Sequence, residues 1–107
     1  MITKFEIFEG KLGLVTFKQL DLIIGDCVTF YTPEVNKFAI IVVRNMSRDD
    51  IEIEYLLPEK EHKTDTYGIN TMVAFDGKPT EILYAGYSFK QACKAYEIKL
   101  STLRFDL

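Results

Sequence analysis

Tryptophan is absent from this 107-residue chain, while histidine occurs once, cysteine twice and proline three times. Each shortage removes a class of chemistry. His62 has no second histidine to join it, so a zinc site of ordinary ligand type finds no anchor. Cys27 and Cys93 are too few for the dense disulfide framework of a small secreted domain. Both fall in apolar stripes and are expected as buried, unreactive thiols in a reducing compartment. The six glycines form neither the G-x-G-x-x-G nor the Walker spacing, so the expectation is no nucleotide loop and no cofactor. No apolar run approaches the ~18–20 residues of a membrane span, and the N-terminal residues carry no signal-type apolar core. A cytoplasmic domain with no membrane partner is expected.

What the chain has is large apolar side chains. Apolar residues make up 48%, including eight Phe and six Tyr, against 27% charged. That is an ordinary globular balance, and the length fits one domain spanning residues 1–107. Net charge is −3, which argues against nucleic acid, since phosphate binding draws on a basic excess. The charge is unevenly spread. Residues 46–65 carry Asp49, Asp50, Glu52, Glu54, Glu59, Glu61 and Asp65 against Arg48, Lys60 and Lys63. Residues 88–105 carry Lys90, Lys94, Lys99 and Arg104 against Glu97 alone.

Period-2 alternation predicts strands at Ile2–Phe8 and Leu12–Phe17, joined as a hairpin through Glu9-Gly10-Lys11. Lys18–Ile24 reads as a short helical turn or an irregular crossover. Gly25-Asp26 then turns into a strand at Cys27–Thr32, and Pro33–Asn36 is a second turn. Lys37–Arg44 is apolar on both faces through Phe38–Val43, the mark of a central strand covered on each side. Ile51–Leu57 alternates, with Glu52 and Glu54 turned to water. Pro58–Gly68 reads as a mobile loop, and Ile69–Phe75 as a further strand with Ile69, Thr71, Val73 and Phe75 on one side. Ser88-Phe89-Lys90-Gln91 fits a capping box, followed by the helical stripe Phe89, Ala92, Cys93 and Tyr96. Residues 97–106 read best as a closing strand, with a helix as the alternative.

The predicted class is α+β: five or six mostly antiparallel strands with one amphipathic helix near residues 88–96. Ile24-Gly25-Asp26-Cys27-Val28 resembles the opening turn of small SH3-like barrels, which implies that the sheet could curl. Phe89–Phe105 resembles a helix-turn-helix segment, with Ala92 in the first helix, Ile98 in the turn and Ser101-Thr102-Leu103 opening a second helix. That resemblance implies Ser101, Thr102 and Arg104 on a DNA face, with Lys90 and Lys94 near phosphates. Glu97 departs from it, standing where the motif's turn wants glycine.

With no catalytic constellation, the expected function is a non-enzymatic binding protein that docks on another macromolecule, most of all a protein. Its size and lack of chemistry look like the small accessory proteins of phages and mobile elements. The residues offered for the contact are Tyr87, Lys90, Lys94, Lys99 and Arg104. An alternative acidic surface comprises Asp49, Asp50, Glu52 and Glu54, whose plain reading is a solvated strand face. Two other functions are carried: nucleic-acid binding through the basic segment 88–105, and a small enzyme whose site forms between subunits. The helix supplies one cover for Phe38–Val43; a second sheet layer or a second copy, making a homodimer, is expected to supply the other.

Overall fold

The computed structural model describes residues 12–57 and 63–105. The predicted strand at Ile2–Phe8, and with it half of the predicted N-terminal hairpin, lies outside the described residues, as do His62, Glu59 and Glu61. Among the described residues, six strands and one long helix form an α+β fold: β1 (Leu12–Gly13), β2 (Cys27–Thr32), β3 (Lys37–Met46), β4 (Asp50–Leu57), β5 (Thr64–Gly68), β6 (Thr80–Gly86) and α1 (Phe89–Phe105). The turns between them follow local chemistry. Asn36 closes the Pro33–Val35 turn at φ 51°, held by the Tyr31 hydroxyl donating to Asn36 Oδ1 at 2.8 Å. Gly77, at φ 67°, lies in the bend before β6.

The strands pair antiparallel in the order β1-β6-β2-β3-β4-β5, so β6 enters the sheet beside β2 rather than extending the meander. The sheet stays open and does not close into the barrel suggested by Ile24–Val28. Bulges adjust the register. Thr29 faces Tyr84 while Phe30 faces Ile82, leaving Leu83 as the extra residue.

Each face of the sheet has its own cover. One face collects Val28, Phe30, Ala39, Ile41, Val43, Ile51, Ile53, Ile82 and Ala85 into a single cluster with Phe17, Leu20, Leu22 and Val73. The last four come from the connections around residues 14–24 and 69–75. These connections supply the cover expected of a second layer or second copy. Val73 N–H donates to Val15 O at 2.7 Å and Phe17 N–H to Thr71 O at 3.1 Å, tying the two connections together. The opposite face presents Cys27, Ile40 and Val42 to α1, which inserts Ala92 and packs Cys93 and Tyr96 beside it. Tyr96 meets Phe38 edge-on at 4.9 Å between ring centroids.

Several sequence expectations are corrected, beginning with the strand at Leu12–Phe17, which is limited to Leu12–Gly13. Residues 64–68 of the predicted loop form β5, paired along β4 from Glu54↔Thr64 to Asp50↔Gly68. Residues 69–75 are a connection with one isolated bridge, Thr16↔Met72, instead of a strand; a turn from Thr71 N–H to Gly68 O breaks the ladder at its start. β6 answers to no strand predicted from the sequence. Residues 97–105 continue α1 without interruption, so neither a closing strand nor a two-helix turn forms there. The inward stripe Ala92, Cys93, Tyr96, Lys99, Leu100 and Leu103 keeps helical spacing throughout, and Ile98, inward in a strand, is left 59% exposed. No glycine or proline between Tyr87 and Phe105 interrupts it.

Candidate functional site

Cys27 pairs with Gly86, so the chain entering β2 and the chain leaving β6 meet at one end of the sheet. The entering segment is fixed tightly. Gly25, at φ 94°, donates its N–H to Val43 O at 2.8 Å, and Val43 N–H returns to Asp26 O at 2.8 Å. The buried Asp26 carboxylate accepts the Ile23 N–H at 3.0 Å. The leaving segment is fixed as well. Ser88 Oγ accepts the Gln91 N–H at 3.1 Å, which caps α1. Ser88 N–H, which the predicted capping box assigned to the Gln91 side chain, donates to the Tyr84 hydroxyl at 3.1 Å.

With backbone groups committed inward on both segments, their apolar side chains are left outside. Ile23 is 63% exposed, Ile24 60%, Tyr87 84% and Phe89 53%. Lys90 and Lys94 stand exposed on the first turns of α1 beside them. Phe89, predicted to begin the buried stripe, is exposed instead. Ile23 and Ile24 were missed by the sequence reading. The available signal was two consecutive isoleucines beside a Gly-Asp turn, outside any predicted strand.

The predicted contact residues therefore divide. Tyr87, Lys90 and Lys94 share the open end of α1. Lys99 is turned back to the sheet, its Nζ 3.0 Å from Glu81 Oε1 and 5.9 Å from the centroid of the Tyr31 ring. Arg104 lies in the last turn, and its side chain is outside the described residues.

The acidic residues also divide. Asp49 and Asp50 sit at the β3–β4 turn, where Ser47 N–H donates to Asp50 O at 2.9 Å and Asp50 N–H to Ser47 Oγ at 3.1 Å. Glu54 accepts from Arg44 Nε at 2.8 Å. Asp50 and Glu52 line a shallow hollow of about 160 Å³ with Asn45, Met46, Ser47 and Thr66. Among the described residues, no three His, Cys, Asp or Glu side chains converge as a metal cage would need.

Three other side chains carry shifted protonation. Tyr55 and Tyr67 share a hydroxyl contact of 3.3 Å, and Tyr67 donates to Asp65 Oδ2 at 3.3 Å. Burial pushes the Tyr55 phenol well above its ordinary range, with the Tyr67 hydrogen bond adding to it. Burial also raises both thiols, Cys27 further by Asp26 and Cys93 further by Glu97. Raised thiols are poor nucleophiles, which fits their packing role. No helix among the described residues is long and apolar enough to cross a membrane.

Comparison with protein-family models, curated proteins and solved structures finds no match. Fold and surface together define the class: a small α+β module with an open antiparallel sheet, a helix on one face and an exposed apolar end.

Proposed function

We propose that the protein is a non-enzymatic docking module whose partner is another protein, bound through Ile23, Ile24, Tyr87 and Phe89 with Lys90 and Lys94 at the rim. The observation that carries this reading is four large exposed apolar side chains on the two segments that meet at the Cys27–Gly86 pair, one entering β2 and one leaving β6. Grouped apolar exposure rimmed by polar residues marks contact surfaces, whereas single exposed apolar residues are ordinary. Aromatic anchors such as Tyr87 are also the residues that most often dominate an interface. The segments bearing them are hydrogen-bonded in place, so little ordering cost falls on association. A cytoplasmic setting is part of the proposal and agrees with both cysteines being free thiols.

The test compares the wild type with a Tyr87→Ser/Phe89→Ser variant in capture from native extract, followed by titration of the purified partner. Truncating two anchors should weaken binding on the order of tenfold or more. Equal affinity in the variant, or capture of nucleic acid alone, would overturn the proposal.

A further inference from the structure

Among the described residues β5 is the outer strand of the sheet, and its outer edge has a definite hydrogen-bonding pattern. Tyr55 N–H donates to Lys63 O at 3.0 Å, and Ile69 N–H donates to Asp49 O at 2.8 Å. Between these ends the β4–β5 register is regular, with Ile53 opposite Asp65 and Ile51 opposite Tyr67. Antiparallel pairs alternate between those that exchange backbone hydrogen bonds and those that do not. Lys63, Asp65, Tyr67 and Ile69 therefore spend their backbone groups on β4. Thr64, Thr66 and Gly68 aim theirs outward, and all three residues are exposed. Only the Gly68 carbonyl of this outward set has a described partner, the Thr71 N–H at 3.0 Å.

We propose that this edge pairs with the same edge of a second copy, antiparallel about Thr66, joining the two sheets into one. Self-complementarity suits a second copy, and charge and turn geometry set this register apart from those centred on Asp65 or Tyr67. Centred on Thr66, the strand is its own complement: Thr66 exchanges both hydrogen bonds with Thr66 of the second copy, and each Gly68 N–H meets a Thr64 carbonyl. Side chains agree with this alignment. Thr faces Thr, a favourable cross-strand pair, and Asp65 faces Tyr67. A register centred on Asp65 sets two carboxylates directly opposite each other, which is destabilising. A register centred on Tyr67 reaches Asn70, where the turn closed by Thr71 has already left the strand. Asp65 is the sole charge within β5, and Lys63 partly neutralises it at 3.8 Å. β5 contains no proline or bulge of the kind that blocks edge pairing. The docking surface at Tyr87 plays no part in this contact, so the two proposals stand or fall separately.

Sedimentation velocity over a concentration series should show the wild type passing from monomer to dimer. Thr66→Pro removes an outward N–H that β4 does not use, a position where an edge strand tolerates proline. That variant should keep its far-ultraviolet circular dichroism and remain monomeric at every concentration. A wild type that never dimerises, or a dimer that Thr66→Pro leaves equally tight, overturns the proposal. Should Thr66→Pro fail to fold, cross-linking decides. In such a dimer the Thr66 Cα atoms lie about 5.5 Å apart, within the roughly 4.4–6.8 Å that a disulfide spans. With oxidised glutathione as electron acceptor, Thr66→Cys should give a covalent dimer and Thr64→Cys, which faces glycine, should not. Absence of the Thr66→Cys dimer, or equal yields at both positions, overturns it.

Discussion

The hydroxyl of Thr29, at the middle of β2, donates to the carbonyl oxygen of Ala92 in α1 at 2.8 Å, and both residues are fully buried. Ala92 lets the helix backbone come this close, and the hydroxyl gives the resulting contact a direction. Thr29→Val keeps the shape and removes the bond. The Ala92 carbonyl retains its helical partner, so the expected loss is about 1 kcal/mol rather than the larger cost of a stranded buried group. Urea denaturation should show a lower midpoint with an unchanged slope. An unchanged midpoint would mean the contact adds no net stability.

Lys99 was read as a contact residue because it lies in a basic segment, but its amine serves the fold. It bridges Glu81 at 3.0 Å, with side-chain exposures of 23% and 15%. Lys99→Met should cost about 1–2 kcal/mol, between the ranges for exposed and buried pairs. Adding Glu81→Gln should recover part of that loss by removing the stranded carboxylate. Affinity for a partner docked at Tyr87 should stay the same in both variants. A variant of wild-type stability that lost partner binding would return Lys99 to the contact surface.

How much of this was readable beforehand depended on whether local pattern and tertiary demand agreed. Cys27–Thr32, Phe38–Val43 and Ile51–Leu57 were legible because each bears apolar residues on the faces the sheet buries. The Ser88 cap was legible from its own chemistry. β6 went unseen because Thr80–Gly86 mixes both kinds of position and bulges at Leu83, so no clean alternation survives. Residues 97–105 misled because Tyr96, Ile98 and Leu100 alternate by chance within a helical stripe that also fits. Of the candidate surface, the sequence pattern offers Tyr87, Lys90 and Lys94. It does not offer Ile23 and Ile24, whose segment is held by hydrogen bonds to Asp26 and Val43 that lie beyond local pattern.

Alkaline titration should reveal the buried acids. Folding raises the Cys27 and Cys93 thiols and, more strongly, the Tyr55 phenol. A raised group binds its proton more tightly in the folded chain, so its contribution is complete below the unfolded pKa and is lost as pH climbs. Stability should therefore fall above about pH 8.5 through the thiols and again above about pH 10 through Tyr55. Denaturation measured across that span should show both declines, and Tyr55→Phe should flatten the upper one. A Tyr55→Phe profile parallel to the wild type above pH 10 would remove Tyr55 from this account.

Gly86 ends β6 beside the Tyr84 ring, and a Cβ there would lie 2.6 Å from the Tyr84 hydroxyl oxygen and 3.0 Å from Cζ. Its backbone is not in the left-handed region, so the requirement for glycine is one of space. The ring cannot yield freely, because it packs beside Cys27, Ile40, Val42 and Ala92, and its oxygen holds the Ser88 N–H. Gly86→Ala should destabilise by about 1–3 kcal/mol through overpacking, offset by roughly 0.4–1 kcal/mol from the stiffer unfolded chain. Tyr84→Phe alone should cost about 1 kcal/mol for the lost hydrogen bond. Combining them removes the closest clash, so the double variant should be more stable than the sum of the single losses implies. Strict additivity would show that the hydroxyl is not what Gly86 accommodates. Ser88 stands between Tyr87 and Phe89, so displacing Tyr84 also displaces the proposed docking surface. Partner affinity in Gly86→Ala should fall with stability and return with it in the double variant.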